Sequence, residues 1–347
     1  MSRFSVSIFL FAFFIFGCDY PPTKETEFSS STPYRFNLPD WAPLPAVPEE
    51  NPITKEKVKL GEKLFNDPIF SKNEDVSCAS CHKADLAFTD GRKLPIGTSG
   101  KLGFRNSPSL LNTAYNTLFF ADGGVRSLEL QVLVPSDTHF EFDLSIPKLI
   151  DKLKKDSSYK AMFLDAFNKP PTVYGITRAI AAYERTLVSF NSKFDKFYYE
   201  KDSTLFSESE KRGMQLFFSP KTNCASCHTG IHFTDRGFYN IGLPVNETDP
   251  GRIRVTTKKE DFGKFKTPSL RNVAITAPYF HDGRMNTLEE VIEYYNAGGE
   301  EFNQKDLRIK PLNLSESQKQ DLINFLKTLT DQQFMVISEA QNQALQN

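Results

Sequence analysis

A mainly α-helical chain of two domains related by an internal repeat, with few or no strands, is predicted by three observations. The pentapeptide Cys78-Ala79-Ser80-Cys81-His82 recurs as Cys224-Ala225-Ser226-Cys227-His228, and the pair uses four of the five cysteines. Residues 108–131 align without gaps on residues 268–291, with Pro-Ser-Leu, Asn, Ala, Phe, Asp-Gly and Leu-Glu at matching places. Apolar residues recur at helical spacing behind Ser and Thr capping candidates, while strand signals are weak throughout.

The elements follow in chain order. Arg3 is a minimal basic head, residues 4–16 are an apolar run too short for a membrane span, and Ile15, Gly17 and Cys18 resemble a bacterial lipoprotein cleavage site. Residues 1–17 are therefore read as a signal peptide of lipoprotein type, with a lipid anchor on Cys18; a plain secretory peptide is the alternative. Residues 18–51 read as a Pro/Ser/Thr-rich tether, broken by Pro21, Pro22, Pro33, Pro39, Pro43, Pro45 and Pro48. The first domain spans 52–201. Thr54 caps a helix ahead of the first pentapeptide, and from Thr172 to about Tyr199 the spacing of Ile176, Ile180, Tyr183 and Leu187 predicts a packing helix. The second domain, 202–347, repeats the plan. Arg212-Gly213 to Leu216-Phe217 matches Leu60-Gly61 to Leu64-Phe65, with Ser209 as the candidate N-cap. Thr287 and Glu290 form a capping box that opens a helix ending near Gly298, and Ser315 starts another with Leu322, Phe325 and Leu326 on one face. The pentapeptides lie 146 residues apart and the later blocks 160, so the second half holds about 14 extra residues, placed in the polar, basic loop 246–266.

The pentapeptide has one demanding chemistry. Two thiols reach the two vinyl groups of one porphyrin while the next residue swings an imidazole onto its iron, which is the c-type haem attachment pattern. A shared zinc site or thioredoxin-like pairs would not need a histidine directly after both second cysteines. Two covalently bound c-type haems are expected, in two cytochrome c-like domains. One is held by Cys78 and Cys81 with His82 on the iron, the other by Cys224 and Cys227 with His228. Such haems are attached outside the cytoplasm, which agrees with the export signal and points to the periplasm or cell envelope. A formal net charge of -1 argues against nucleic acid as a partner. Between Lys83 and Thr138 there is neither His nor Met, so the first iron lacks the usual closing ligands and is expected to bind small molecules.

The two motifs, with Arg105-Asn106-Ser107-Pro108, Ala121-Asp122-Gly123, Leu128-Glu129-Leu130-Gln131, Pro135, Glu141 and Ala277-Pro278-Tyr279-Phe280-His281-Asp282-Gly283-Arg284, resemble the bacterial dihaem cytochrome c peroxidases and their MauG-like relatives. The resemblance covers residues 52 to about 330. It implies reduction of hydrogen peroxide to water at an open N-terminal haem, with electrons from a small cytochrome c or cupredoxin entering at the C-terminal haem. Glu141 and Gln131 match residues that lie over the family's peroxide-binding haem, where a carboxylate carries a proton between the peroxide oxygens. Many members close that haem at rest with a loop histidine. Its place here is Thr98, so no reductive activation is expected. His139 reads as a surface histidine, with ligation of the first iron or proton transfer as alternatives.

For the second iron, Tyr295 stands where the peroxidases have methionine and MauG has tyrosine; Met285, His232 and His281 are the alternatives. The resemblance also implies one calcium ion between the domains, on Asn106 and the carbonyls of Thr276 and Pro278, and it allows a homodimer. Two departures stand out. Ala121 replaces a tryptophan common between the haems and Gly124 an arginine, leaving Phe119, Phe120 or Tyr115 for electron passage, since the single tryptophan, Trp41, falls in the tether. A MauG-like peroxide-dependent oxidase of a partner protein is the first alternative function. A non-catalytic dihaem electron-transfer protein or sensor is the second.

Overall fold

The computed structural model describes residues 31–245, 249–302, 304–331 and 333. The signal peptide and Cys18, and the loop tip 246–248, lie outside the described residues. In the first half the helices are α1 (Lys55–Asn66), α2 (Cys78–Cys81), α3 (Leu128–Gln131), α4 (Leu133–Asp137), α5 (Ile146–Lys155), α6 (Ser157–Phe167) and α7 (Val173–Thr186). A short α8 (Lys193–Tyr198) leads to α9 (Glu208–Phe217), α10 (Ile253–Thr256), α11 (Leu288–Asn296) and α12 (Glu316–Lys327) in the second. A single antiparallel ladder, β1 (Phe238–Tyr239) on β2 (Phe265–Lys266), pairs Phe238 with Lys266 and Tyr239 with Phe265.

The repeat reaches deeper than the aligned blocks. α1 packs on α7 and α9 on α12, each pair meeting at a glycine. A Cβ at Gly61 would overlap the carbonyl of Ala179, and one at Gly213 the carbonyl of Asp321. Both glycines sit in helices despite their poor propensity because only a missing side chain permits that approach. Asn112 and Asn272 take the left-handed conformation at the same point of each half, and they anchor equivalent segments: Asn112 N–H donates to Leu187 O at 2.8 Å, and Asn272 N–H to Leu329 O at 3.0 Å. Separate apolar cores form around Leu60, Leu64, Leu149, Phe163, Ile176 and Ile180 in the first half, and around Phe217, Phe233, Leu322 and Phe325 in the second.

Several local expectations hold. Thr54 accepts from Lys57 N–H at α1, and Ser315 forms a reciprocal box with Gln318 at α12. Thr287 caps α11 by accepting from Glu290 N–H, though the Glu290 carboxylate accepts from Asn286 N–H rather than from Thr287. Two are corrected. The N-cap of α9 is Ser207, in a reciprocal box with Glu210, because the Ser209 hydroxyl is spent on Asp321 of α12. The stretch from Thr172 to Tyr199 is not one helix. α7 ends at Thr186, and residues 189–192 are pulled across to the end of the second half, where Asp331 accepts from Ser189 Oγ–H at 2.9 Å and Asn191 N–H at 3.1 Å.

The extra residues of the second half fasten it to the first. Arg105 forms ion pairs with Asp122 at 2.8 Å and with Asp249 at 2.6 Å, all three side chains largely buried. Arg252 donates to Asp122 O at 2.9 Å, and Lys266 donates through N–H to Ala121 O at 2.7 Å and through Nζ to Leu118 O at 2.8 Å. The described part of the segment read as a tether also lies on the body. Tyr34 N–H donates to Ile53 O, the Trp41 ring stacks on Tyr199 with centroids 4.1 Å apart, and Tyr115 Oη–H donates to Pro43 O at 2.6 Å. Asn51 is fully buried, donating to Glu129 Oε1 at 2.8 Å beside the Arg185–Glu129 ion pair at 2.6 Å.

Candidate functional site

In each half the imidazole after the second cysteine is prepared in the same way. His82 Nδ1 lies 2.9 Å from Phe88 O, and His228 Nδ1 lies 3.0 Å from Phe233 O. A proton on Nδ1 satisfies that bond and leaves the Nε2 lone pair for a metal, with the ring orientation fixed. The two phenylalanines hold φ of 59° and 52°, values a bulky residue adopts only where the surroundings impose them. The strain turns each carbonyl onto its imidazole. A sequence signal marks both, since Phe88-Thr89-Asp90 recurs as Phe233-Thr234-Asp235, yet the aligned blocks did not include it.

α2 presents the first pair of thiols, opened by reciprocal bonds between Ser77 and Ser80, and a 3-10 turn at Cys224–Ser226 presents the second pair. All four thiols are free and half-buried. Burial pushes Cys81 up to about 12 and raises Cys78, Cys224 and Cys227 as well. Neutral, sheltered thiols differ from the acidified thiolates of zinc sites and redox pairs. They fit covalent attachment of a porphyrin, and the free Nε2 fits its iron.

Glu141 lies in the loop 138–143. The side chain is half-buried, burial pushes its carboxyl up to about 7, and its charge acts on both Cys78 and Cys81. Its backbone is held at both ends, by Glu141 N–H to Thr138 O at 3.0 Å and by Thr98 N–H to Glu141 O at 2.8 Å. Gln131 is half-buried at the end of α3, which Ser127 caps. Thr98 is fully buried. His139 is on the surface, its side chain 74% exposed, with Nδ1 3.1 Å from Asp143 and Nε2 2.8 Å from Lys101 Nζ. One carboxyl was missed in the sequence. Glu184 on α7 is buried, pushed up to about 8 by that burial, and its Oε2 has no hydrogen-bond partner among the described residues. After burial itself, its charge is the largest influence on the Cys78 thiol. Nothing in an α-helical glutamate signals this.

In the second half the neighbours on α11 divide. Tyr294 is buried and donates to Ile241 O at 3.0 Å. Tyr295 stands nearly perpendicular to it, with centroids 5.6 Å apart, and is raised by burial, with Tyr294, Cys224 and Cys227 adding to the shift. Its hydroxyl is therefore within electrostatic reach of the second pair of thiols. Met285 is half-buried in a bridge to Tyr279, whose N–H donates to Met285 O at 2.7 Å. His232 is not solvated: it lies between Tyr115 and Phe190, with ring centroids at 4.4 and 5.6 Å, and burial with Arg271 and Arg236 nearby drops it to about 3. His281 stacks on Phe265 at 3.7 Å, and its carbonyl accepts from Asn106 N–H at 2.8 Å. The Asn106 Nδ2 donates to Arg92 O at 2.8 Å, which leaves Oδ1 as an acceptor. Among the described residues no group of three or more His, Cys, Asp or Glu could hold a metal ion. A calcium ion at Asn106, Thr276 and Pro278 would rest on an amide oxygen and backbone carbonyls, which are suitable hard donors.

A helical pair of halves, each offering two sheltered thiols and a metal-ready imidazole, defines a dihaem c-type cytochrome. Residues 55–203 and 208–337 match the family model described as di-haem cytochrome c peroxidase. The chain is 37% identical over 298 residues to the methylamine utilization protein MauG of Methylorubrum extorquens, covering 85% of this chain and 83% of that one. It is 36% identical over 276 residues to the cytochrome c peroxidase Ccp of Escherichia coli, covering 76% and 58%. A solved MauG-like protein associated with microbial copper homeostasis superposes with a TM-score of 0.82 at 34% identity, over 87% of this chain and 97% of that one. The diheme peroxidase BthA from Burkholderia thailandensis gives 0.73 at 25% identity, over 82% and 88%. The chain belongs to the dihaem cytochrome c peroxidase family and is an oxidoreductase of the peroxidase type. Membership implies two c-type haems.

Proposed function

We propose that this protein reduces hydrogen peroxide to water in its first half, with electrons from a small cytochrome c or cupredoxin entering through its second. The observation that carries this reading is Glu141, a half-buried carboxyl whose charge acts on both Cys78 and Cys81 and which burial pushes up to about 7. Cys78 and Cys81 attach one haem with His82 on its iron, and Cys224 and Cys227 attach the other with His228. When bound, the haems supply redox-active iron, the first open to peroxide and the second passing electrons to it. With peroxide in the site, Glu141 would take a proton from one peroxide oxygen and return it to the other, which leaves as water when the O–O bond breaks, the two electrons for full reduction to water being those of the donor. Gln131 orients the peroxide, and burial of the carboxyl keeps Glu141 close to half ionised at neutral pH. His139, engaged by Asp143 and Lys101, stays out of this step.

Tyr295 would hold the second iron together with His228, and Met285 would be the alternative. Tyrosine favours the oxidised iron, where methionine would raise its potential. That preference supports a second reading, a MauG-like enzyme that uses peroxide to oxidise a partner protein. The purely electron-transferring alternative needs a strong ligand on the open side of the first iron, and Thr98 is not one. The protein works in the periplasm or cell envelope, held there by a lipid on Cys18, with a calcium ion at Asn106, Thr276 and Pro278. Steady-state consumption of peroxide with a reduced cytochrome c or cupredoxin tests the leading reading. Turnover that depends on the donor supports it, and donor-independent modification of an added partner protein supports the MauG-like one.

A further inference from the structure

The loop that carries Glu141 does not stand alone. Residues 96–102 form a small hairpin closed by the Ile96–Leu102 bridge, and this hairpin is clamped between the turn 71–75 and the loop 138–143. On one side Thr98 Oγ1–H donates to Asp75 Oδ1 at 2.7 Å, Ser99 N–H donates to Asp75 Oδ2 at 3.0 Å, and Asn73 Nδ2 donates to Ser99 Oγ at 2.8 Å. The bonds to Asp75 from Ser99 N–H, foremost, and from Thr98 hold its carboxyl below the usual carboxylate range. On the other side Thr98 N–H donates to Glu141 O at 2.8 Å, while Lys72 N–H donates to Phe142 O at 2.9 Å and joins the outer two segments directly. Gly97 closes the clamp. Its φ of -88° suits any residue, so glycine is required by space: a Cβ there would overlap the carbonyl of Phe140 and lie 2.8 Å from Glu141 Cα.

We propose that the Asp75–Thr98 pair, with Gly97, is a rigid strut that positions Glu141. Thr98 and Asp75 are positioning residues: neither reaches the reacting atoms, and both act through the Glu141 backbone. The inference rests on reading Glu141 as the proton carrier. Because the strut is bonded along both flanks, residues 96–102 do not swing over the first haem, and the site is held ready at rest. A carboxyl on a loop otherwise free to wander would spend much of its time out of reach, and small misplacements in such sites are costly in rate.

The test uses the dihaem protein and the variants Thr98→Val, which keeps shape and backbone, Thr98→Ser, which restores the hydroxyl, and Glu141→Gln. Two quantities are read besides the melting temperature. One is the rate at which the oxidised protein reacts with hydrogen peroxide. The other is the equilibrium affinity for cyanide, which is taken up from hydrogen cyanide by leaving its proton on a nearby base. T98V is expected to lower both by about tenfold, with faster amide exchange in 138–143, and T98S to restore both to within about twofold. If E141Q leaves the peroxide rate unchanged, the catalytic reading of Glu141 fails, and the strut with it. If E141Q slows the reaction while T98V changes neither quantity, or T98S fails to rescue, the strut alone is overturned.

Discussion

In the proposed function Glu141 and Tyr295 carry the chemistry, and each gives a test at the scale of one side chain. Glu141 must be ionised to accept a proton. Burial pushes it up to about 7, so the reaction of oxidised protein with peroxide is expected to rise as pH climbs through about 7 and then level off. Replacing Glu141 with Gln is expected to remove that rise and slow the reaction by roughly 10²–10⁴-fold, as followed by stopped-flow absorbance. Tyr295→Met is expected to raise the midpoint potential of the second haem in spectroelectrochemical titration, whereas Tyr294→Phe, which loses the hydroxyl's bonds to Ile241 O and to the Glu300 backbone, should leave it in place. An unchanged potential in Y295M would return the ligand to Met285. The attachment motifs were legible because their chemistry tolerates one order of residues. Phe88 and Phe233 carry the recurring Phe-Thr-Asp signal, but that signal shows only that the two places are equivalent and not the strained backbone that aims each carbonyl. Glu184 was hidden for a similar reason: burial of a helical glutamate is a tertiary fact.

At the scale of elements, both halves rest on a helix pair closed at a glycine. Gly61→Ala and Gly213→Ala each force a methyl into a carbonyl of the partner helix, and each is expected to cost about 1–3 kcal/mol in urea unfolding. A neutral result at either site would mean the pair can separate freely. The pentapeptides, the repeat, and the caps Thr54, Thr287 and Ser315 were readable in advance because they are local. The start of α9 is as local. Ser207 carries the capping-box signature, with Glu210 three residues on where Ser209 has Arg212, and the Ser209 hydroxyl is claimed by Asp321 more than a hundred residues away. The end of α7 is not. Apolar spacing continues past Thr186, but Asp331 and Asn112 draw residues 189–191 out of the helix.

Over the whole molecule, the repeat has been used asymmetrically. Leu111 of the first half corresponds to Arg271 of the second, and Arg271 forms a fully buried pair with Asp195 at 2.8 Å. Arg271→Leu makes the two positions alike but strands the Asp195 charge, and a loss of about 3–5 kcal/mol is expected by chemical denaturation. A small change would show that Asp195 is satisfied by Ser192 alone. The extra residues of the second half, through Asp249, Arg252 and Lys266, tie it to Asp122, Ala121 and Leu118 of the first. Trp41 and Asn51 add a strap along the same body. Proline-rich composition suggested a loose tether there, because composition reports what cannot be helical and says nothing of what the chain lies against.

In the proposed function the first haem site is open, with its proton carrier in place, before any electron arrives. The decisive experiment mixes hydrogen peroxide with the fully oxidised dihaem protein, with no prior reduction. An immediate change in the haem absorbance is expected, and its loss in Glu141→Gln. No change until one electron has been added would contradict it, and would mean that a residue of this chain closes the first iron at rest.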